Sequence, residues 1–245
     1  MSGMNRTATP TLPDPPKKTA PGWSFLTNYT LVLIYIVLNP DSTVRAIAQG
    51  VGITERATLA LLRDLDVDGI IARKRDGRRN TYSVNFERLA QGRRGGGMGG
   101  SLTPRPFVDV VVRTLFALAD ESGEHLPPPK LPVHEHKLHE RTGSWGFFTN
   151  QMLMLLALAS DHRRTVRDLA DSIGITERAG LGVIGQLESE GIVARERDGR
   201  RTKYTIDFEQ FRSFRGWRFE TWSIPPSLID VATGGLRALA ASQDA

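Results

Sequence analysis

The sequence predicts a mainly α-helical protein with small β-hairpins. One unit of three helices and a hairpin occurs twice in tandem, and a C-terminal helix follows each copy. Three observations predict this. Trp23 to Gln91 align with Trp145 to Ser213 at a fixed offset of 122 without a gap. Roughly 30 of about 70 positions are identical, a density that internal duplication produces and chance does not. Apolar residues return at helical spacing through three successive stretches of each copy. Each copy then places Asp-Gly between two strand-like runs, Asp76 and Gly77 in one and Asp198 and Gly199 in the other, a strong hairpin signal.

Residues 1–21 hold Pro10, Pro13, Pro15, Pro16 and Pro21 with Lys17 and Lys18, and read as a disordered tail. The first unit occupies residues 22–91. Its first helix spans Thr27 to Leu38; that stretch is β-branched, but its copy, Gln151 to Ala159, is rich in Met, Leu and Ala, which favour helix. Thr43, or Thr165 in the copy, can cap a short second helix with Val44, Ile47, Ala48 and Val51 on its inner face. Gly52 and Gly174 then permit a tight turn at positive φ. The third helix starts at Thr54 (Thr176), a second capping residue, with Glu55 (Glu177) in the electropositive first turn. Leu59, Leu62 and Leu65, matched by Leu181, Ile184 and Leu187, keep a three-residue spacing that reads as one buried stripe. In the copy, Gly180, Gly182 and Gly185 read as side chains removed from the outer face. Gly69 and Gly191 fall where a helix C-terminus takes a left-handed residue. A strand from Ile70 to Arg75, the Asp-Gly turn and a return strand from Arg78 to Val84 complete the unit. Helix, helix, turn, helix, hairpin is the order of a winged helix-turn-helix, here in tandem.

Between and after the units the two halves differ. Residues 92–104 are a glycine-rich linker carrying Arg93 and Arg94. A packing helix at 105–120 is apolar on most sides between Pro106 and Ala119, which predicts burial between the units. Residues 121–143 form a Pro- and His-containing linker, and 144–213 the second unit. Residues 214–242 bring an aromatic segment and a second packing helix, Pro226 to Ala240, which matches the first. Where the first half has glycine, the second has Phe211, Phe214, Trp217, Phe219 and Trp222, read as cover for the tail helices or the lining of a pocket between the halves. Trp23, Phe25, Trp145 and Phe147, which open the two units, read as core packed on the hairpin or tail helix.

The 245 residues are enough for two small cores. A net charge of +5 and a pI near 9.8 suit a nucleic-acid partner without requiring one. Charge placement is more specific: Arg73, Lys74, Arg75, Arg78 and Arg79 crowd one hairpin, and Arg195, Arg197, Arg200, Arg201 and Lys203 its copy. The absence of cysteine excludes disulfides and thiolate metal sites. The polar, Pro-rich start has no secretory pattern, and the longest apolar run, Leu31 to Leu38, is too short to cross a bilayer. The expected location is the cytoplasm, at the nucleoid, with no membrane partner.

GITERA (Gly52 to Ala57 and Gly174 to Ala179) followed by an amphipathic helix and then GI-x-AR-x-RDGRR-x-x-Y resembles the MarR/ArsR-type winged helix-turn-helix regulators, especially small one-domain bacterial members with a W-x-F-(L/F)-TN start. The resemblance covers both repeats. It implies double-stranded DNA binding and transcriptional control, usually by two-fold dimers; fusion of two copies in one chain departs from that pattern. A winged helix lays its third helix in the major groove with N-terminal side chains at base edges. Thr54, Glu55, Arg56, Thr58 and Arg63 are then in reach of the bases, with Thr176, Glu177 and Arg178 in the copy. Arg56 and Arg178 suit guanine, whose O6 and N7 an arginine meets with two hydrogen bonds. The wing residues Arg73, Arg75, Arg78, Arg79, Arg195, Arg197, Arg200, Arg201 and Lys203 are the expected phosphate or minor-groove contacts. Against this stand blander readings, a solvated charged face or arginines paired with neighbouring glutamates.

His134, His136 and His139 form the one metal-like spacing, in a linker with no apolar shell around it, so no metal or other cofactor is expected. There is no phosphate loop, nucleophile elbow, HExxH or paired-carboxylate spacing, and the reading is non-enzymatic. The leading expectation is a transcriptional regulator acting as a single-chain pseudo-dimer, a monomer with an internal pseudo-two-fold, on a pseudo-palindromic operator, with any small-molecule effector unknown. A plasmid or chromosome replication or maintenance protein, and a winged-helix protein-interaction module, are the alternatives; the arginine-rich hairpins argue against the last.

Overall fold

Threonine side chains set where most helices of the two units begin. Thr27 accepts the backbone N–H of Thr30 and opens α1, Asn28–Leu38; Thr43 accepts that of Ala46 and opens α2, Val44–Val51. Thr54 accepts that of Ala57 and opens α3, Glu55–Val67. The computed structural model describes residues 23–76, 79–91, 105–121, 146–198 and 201–242. A hairpin follows α3, with β1 at Ile71–Asp76 and β2 at Arg79–Val84, then a short helix, α4, Phe86–Gln91. A longer helix, α5, spans Arg105–Glu121. The second half repeats the order with α6 Asn150–Ser160, α7 Val166–Ile173, α8 Glu177–Ser189, β3 Val193–Asp198, β4 Arg201–Ile206 and α9 Phe208–Ser213. A 3-10 turn at Arg215–Trp217 leads to α10, Pro226–Ala241, which has its proline in the first turn as expected. The chain is mainly helical with two small antiparallel two-stranded sheets.

The turns match the glycine reading. Gly52, Gly69, Gly174 and Gly191 have φ between 68° and 77°, a left-handed conformation that costs any side chain about 1 kcal/mol or more. The hairpins differ in one detail. Asp76 pairs with Arg79 and Asp198 with Arg201, so the residues that connect the strands are 77–78 and 199–200 rather than the Asp-Gly pairs themselves. The return strands therefore start one residue later than the sequence suggests.

α1 and α6 are the central helices. Leu31, Val32, Leu33, Ile34, Ile36 and Val37 of α1 are all buried, as are Met154, Leu155, Leu156, Leu158 and Ala159 of α6. Burial on nearly every side follows from neighbours all round: α1 touches α2, α3, α5 and β2, and α6 touches α7, α8, α10 and β4. The tail helices α5 and α10 also pack on each other, which meets the expectation of burial between the units. Val112 and Leu115 of α5 and Leu236 of α10 are fully buried.

The two halves meet through matched hydrogen bonds. Leu26 and Phe148 form an isolated antiparallel bridge. Thr27 N–H donates to the Phe147 carbonyl, and its equivalent Thr149 N–H donates to the Phe25 carbonyl, both at 3.0 Å. The Thr27 hydroxyl donates to Gly146 O and the Thr149 hydroxyl to Ser24 O, both at 2.6 Å. Equivalent residues exchanging equivalent bonds is the local pattern of an isologous, two-fold contact.

The openings of the units correct one expectation. Phe25 is fully buried, and three rings it packs on, Phe211, Phe214 and Trp217 at centroid distances of 4.8, 5.0 and 5.2 Å, all belong to the second half. Trp23 stacks on Phe214 at 4.5 Å. The aromatic segment of the second half therefore caps the start of the first. Trp222 extends that cover: its indole N–H donates to the Gly50 carbonyl at 2.6 Å and its ring meets Tyr35 edge-on. A Cβ at Gly50 would lie 2.1 Å from the Tyr35 ring, so glycine is needed beneath it.

Candidate nucleic-acid interface

α3 and α8 present equivalent exposed faces. Each begins after a GIT sequence in which glycine turns the chain and threonine caps the helix. Thr54 Oγ1 accepts from Ala57 N–H at 3.2 Å and Thr176 Oγ1 from Ala179 N–H at 3.3 Å, which leaves each hydroxyl proton free to donate outward. Thr54, Glu55, Arg56 and Arg63 are exposed, as are Thr176, Glu177 and Arg178. Among the described residues no ion pair engages Arg56, Arg63 or Arg178, so their guanidinium groups are not spent on the adjacent glutamates.

Thr58 is a correction. Its side chain is fully buried and its hydroxyl donates back to the Thr54 carbonyl at 3.1 Å, so it presents nothing outward. The cause is helical geometry. At about 100° per residue, positions 58, 62 and 65 fall on one face, whereas 59 lies about a quarter-turn away. The buried stripe is thus Thr58, Leu62 and Leu65, while Leu59, and Leu181 in the copy, are 50% exposed. Gly180 is corrected with it. It lies on the inner face, where a Cβ would stand 2.9 Å from the Ala170 Cβ, whereas Gly182 and Gly185 do face open space.

The hairpins carry the second group of basic residues. Arg73, Lys74, Arg195, Arg197 and Lys203 are exposed. In each hairpin one tyrosine is buried, Tyr82 paired with Arg73 and Tyr204 paired with Arg195, while the arginine paired with it stays exposed. Burial raises both phenols above their ordinary value, so both stay neutral. Arg195 Nε pairs with Glu188 Oε1 at 3.2 Å, but Arg73 has no such partner among the described residues, since Asp66 at the equivalent place makes none. Arg78 and Arg200 lie outside the described residues, as do the side chains of Arg75, Arg79 and Arg201. The same holds for the Pro-rich tail, the glycine-rich linker and the linker segment with His134, His136 and His139.

Two short helices escaped the sequence reading. α4 and α9 are under two turns, too short for a periodic signal, but Asn85 and Asp207 ahead of Phe-Glu in both copies marked their caps. Asn85 Oδ1 accepts from Arg88 N–H and Asp207 Oδ1 from Glu209 and Gln210 N–H, each at 2.9 Å. Arg88 Nε then bonds the Asp68 carbonyl at 3.0 Å, tying α4 to the end of α3.

A cavity of about 20 Å³ lies beside the first hairpin, lined by Ile36, Val37, Pro40, Tyr82, Val84, Phe86 and Ala119. It is sized for about one water molecule and not for an effector. Among the described residues no cluster of His, Asp and Glu could hold a metal, and no helix is long and apolar enough to cross a membrane. Compared with protein-family models and with curated proteins, the chain matches none of them.

Proposed function

We propose that the chain is a sequence-specific double-stranded-DNA-binding transcriptional regulator. In this reading each half is a winged helix-turn-helix, and a single chain serves as its own pseudo-dimer on a pseudo-palindromic operator. One observation carries it: the same exposed constellation occurs twice in one chain, on two halves whose junction has a two-fold pattern of hydrogen bonds. In each copy that constellation is an unpaired arginine in the first turn of a threonine-capped helix, beside an arginine-bearing hairpin.

The chemistry follows from these groups. Arg56 and Arg178 meet guanine edges in the major groove, and the Thr54 and Thr176 hydroxyls donate to phosphates at its rim. The hairpin cations neutralise phosphate, which contributes affinity without sequence preference. Arg195 must exchange its Glu188 contact for phosphate, a small cost for an exposed pair of about 0–1 kcal/mol.

The test is selection of bound duplexes from random DNA, followed by salt titration and stoichiometry on the selected site. Enrichment of an imperfect inverted repeat, bound by one chain, is expected. Arg78→Ala with Arg79→Ala should weaken binding to all sequences alike and flatten the log–log salt slope by about 0.9 per lost phosphate contact. No enriched sequence would overturn the regulator reading; two chains per site would overturn the pseudo-dimer while leaving DNA binding in place.

A further inference from the structure

Among the described residues three large apolar side chains are exposed, Leu59 and Leu181 at 50% and Val67 at 76%. Val67 has Ser189 as its counterpart, but Leu59 and Leu181 are the same position of α3 and α8. Their surroundings have diverged: Thr58 matches Gly180, Ala60 matches Gly182, Leu61 matches Val183, Leu62 matches Ile184 and Arg63 matches Gly185. Between Ala57 and Gly69 only Leu59 and Leu65 are identical in the copy. Leu65 and Leu187 are fully buried, so core packing accounts for them. Packing does not account for a half-exposed leucine held in both copies while Gly182 and Gly185 beside it face open space.

Leu59 follows Arg56 by three residues, and Leu181 follows Arg178 likewise, so each pair shares a helix face. An apolar protein partner would require a broader apolar patch than this face offers, because Arg56, Ala60 and Arg63 flank Leu59, and Arg178, Gly182 and Gly185 flank Leu181. One group on the base edges of the major groove is apolar, the C5-methyl of thymine. We infer that Leu59 and Leu181 are specificity-determining side chains, each packed on a thymine methyl at the same place in its half-site. The inference rests on the DNA-binding reading above. It adds that the two half-sites share a thymine next to the arginine-read base pair and differ one turn further along, where Arg63 stands against Gly185.

The test uses the full chain and a duplex selected from random DNA, remade with single thymine-to-uracil replacements that delete only the methyl. Burial of one methyl corresponds to about a fourfold change in affinity. One replacement in each half-site should weaken binding by about fourfold. Leu59→Ala should abolish that sensitivity in one half-site only and Leu181→Ala in the other, with melting temperature unchanged because both positions lie outside the core. Leu59→Met, which keeps an apolar contact, should retain it. Tight binding that is indifferent to every uracil replacement, or a Leu59→Ala protein that remains as sensitive as the parent, overturns the inference and leaves DNA binding standing. Failure to select any sequence overturns both.

Discussion

The two halves share a plan and differ in what they present and what they cover. Tyr29 and Asp64 join α1 to α3 by a 2.7 Å hydrogen bond; at the same positions Gln151 and Gln186 join α6 to α8 at 2.8 Å. Both residues changed and the contact survived. The outer faces changed without such compensation. α3 carries Ala60 and Arg63 where α8 carries Gly182 and Gly185, and α7 has a reciprocal Thr165–Asp168 capping box where α2 has only Thr43. A homodimer would impose each change on both copies of a face at once, whereas a fused pair can alter one and keep the other. The contact between the first and third helices was kept through a change of both its residues, whereas the faces beside it diverged.

The comparison can be broken most directly where the halves lean on each other. Phe25→Ala should cost about 3–5 kcal/mol, because it removes a buried ring that three aromatic side chains of the second half surround. It should also open the Phe214 to Trp222 segment to proteolysis; a small shift in chemical denaturation with no new cleavage would show that the junction is dispensable.

A second probe tests the proposed DNA contacts and sharpens the difference between the exposed faces of α3 and α8. Arg56→Ala should lose about 1–3 kcal/mol of discrimination at one base position while non-specific binding survives. Arg178→Ala should lose less, since α8 offers fewer side chains around it. Equal, sequence-independent losses in a binding assay would assign both arginines to phosphate.

Glycine substitutions on α8 separate packing from presentation. Gly182→Ala and Gly185→Ala place a methyl in open space and should each stabilise the fold by up to about 1 kcal/mol. Gly180→Ala should instead destabilise it, because its Cβ would stand 2.9 Å from that of Ala170. Thermal unfolding of the three variants decides, and a uniform response would remove the distinction between inner and outer face.

The smallest effect is a pH dependence confined to the second half. Hydrogen bonds from Thr165 hold the exposed Asp168 carboxyl below the ordinary carboxylate range. Its contribution is therefore present above the unfolded carboxylate value and is lost as pH falls through the lowered one. Asp168→Asn should flatten that part of the acid stability profile, whereas Ala46→Asp in the first half should introduce it beside Thr43.

Capping threonines, left-handed glycines and the repeated Asp-Gly were legible in the sequence because each acts through backbone geometry a few residues away. Duplication strengthened every such signal, since the Met- and Leu-rich α6 identified the β-branched α1 as a helix. The arginines of the candidate interface were legible for the same reason, as local motifs at fixed spacing. Other features depended on the packed chain. Three-residue spacing could not tell Leu59 from Thr58 as the inward residue, because that choice depends on which side of α3 meets α2. The aromatic segment read as cover for the tail helices, yet its rings close over Trp23 and Phe25 from the far end of the chain. No local rule encodes such a contact, because burial of apolar surface is non-directional and only the assembled fold selects the partner.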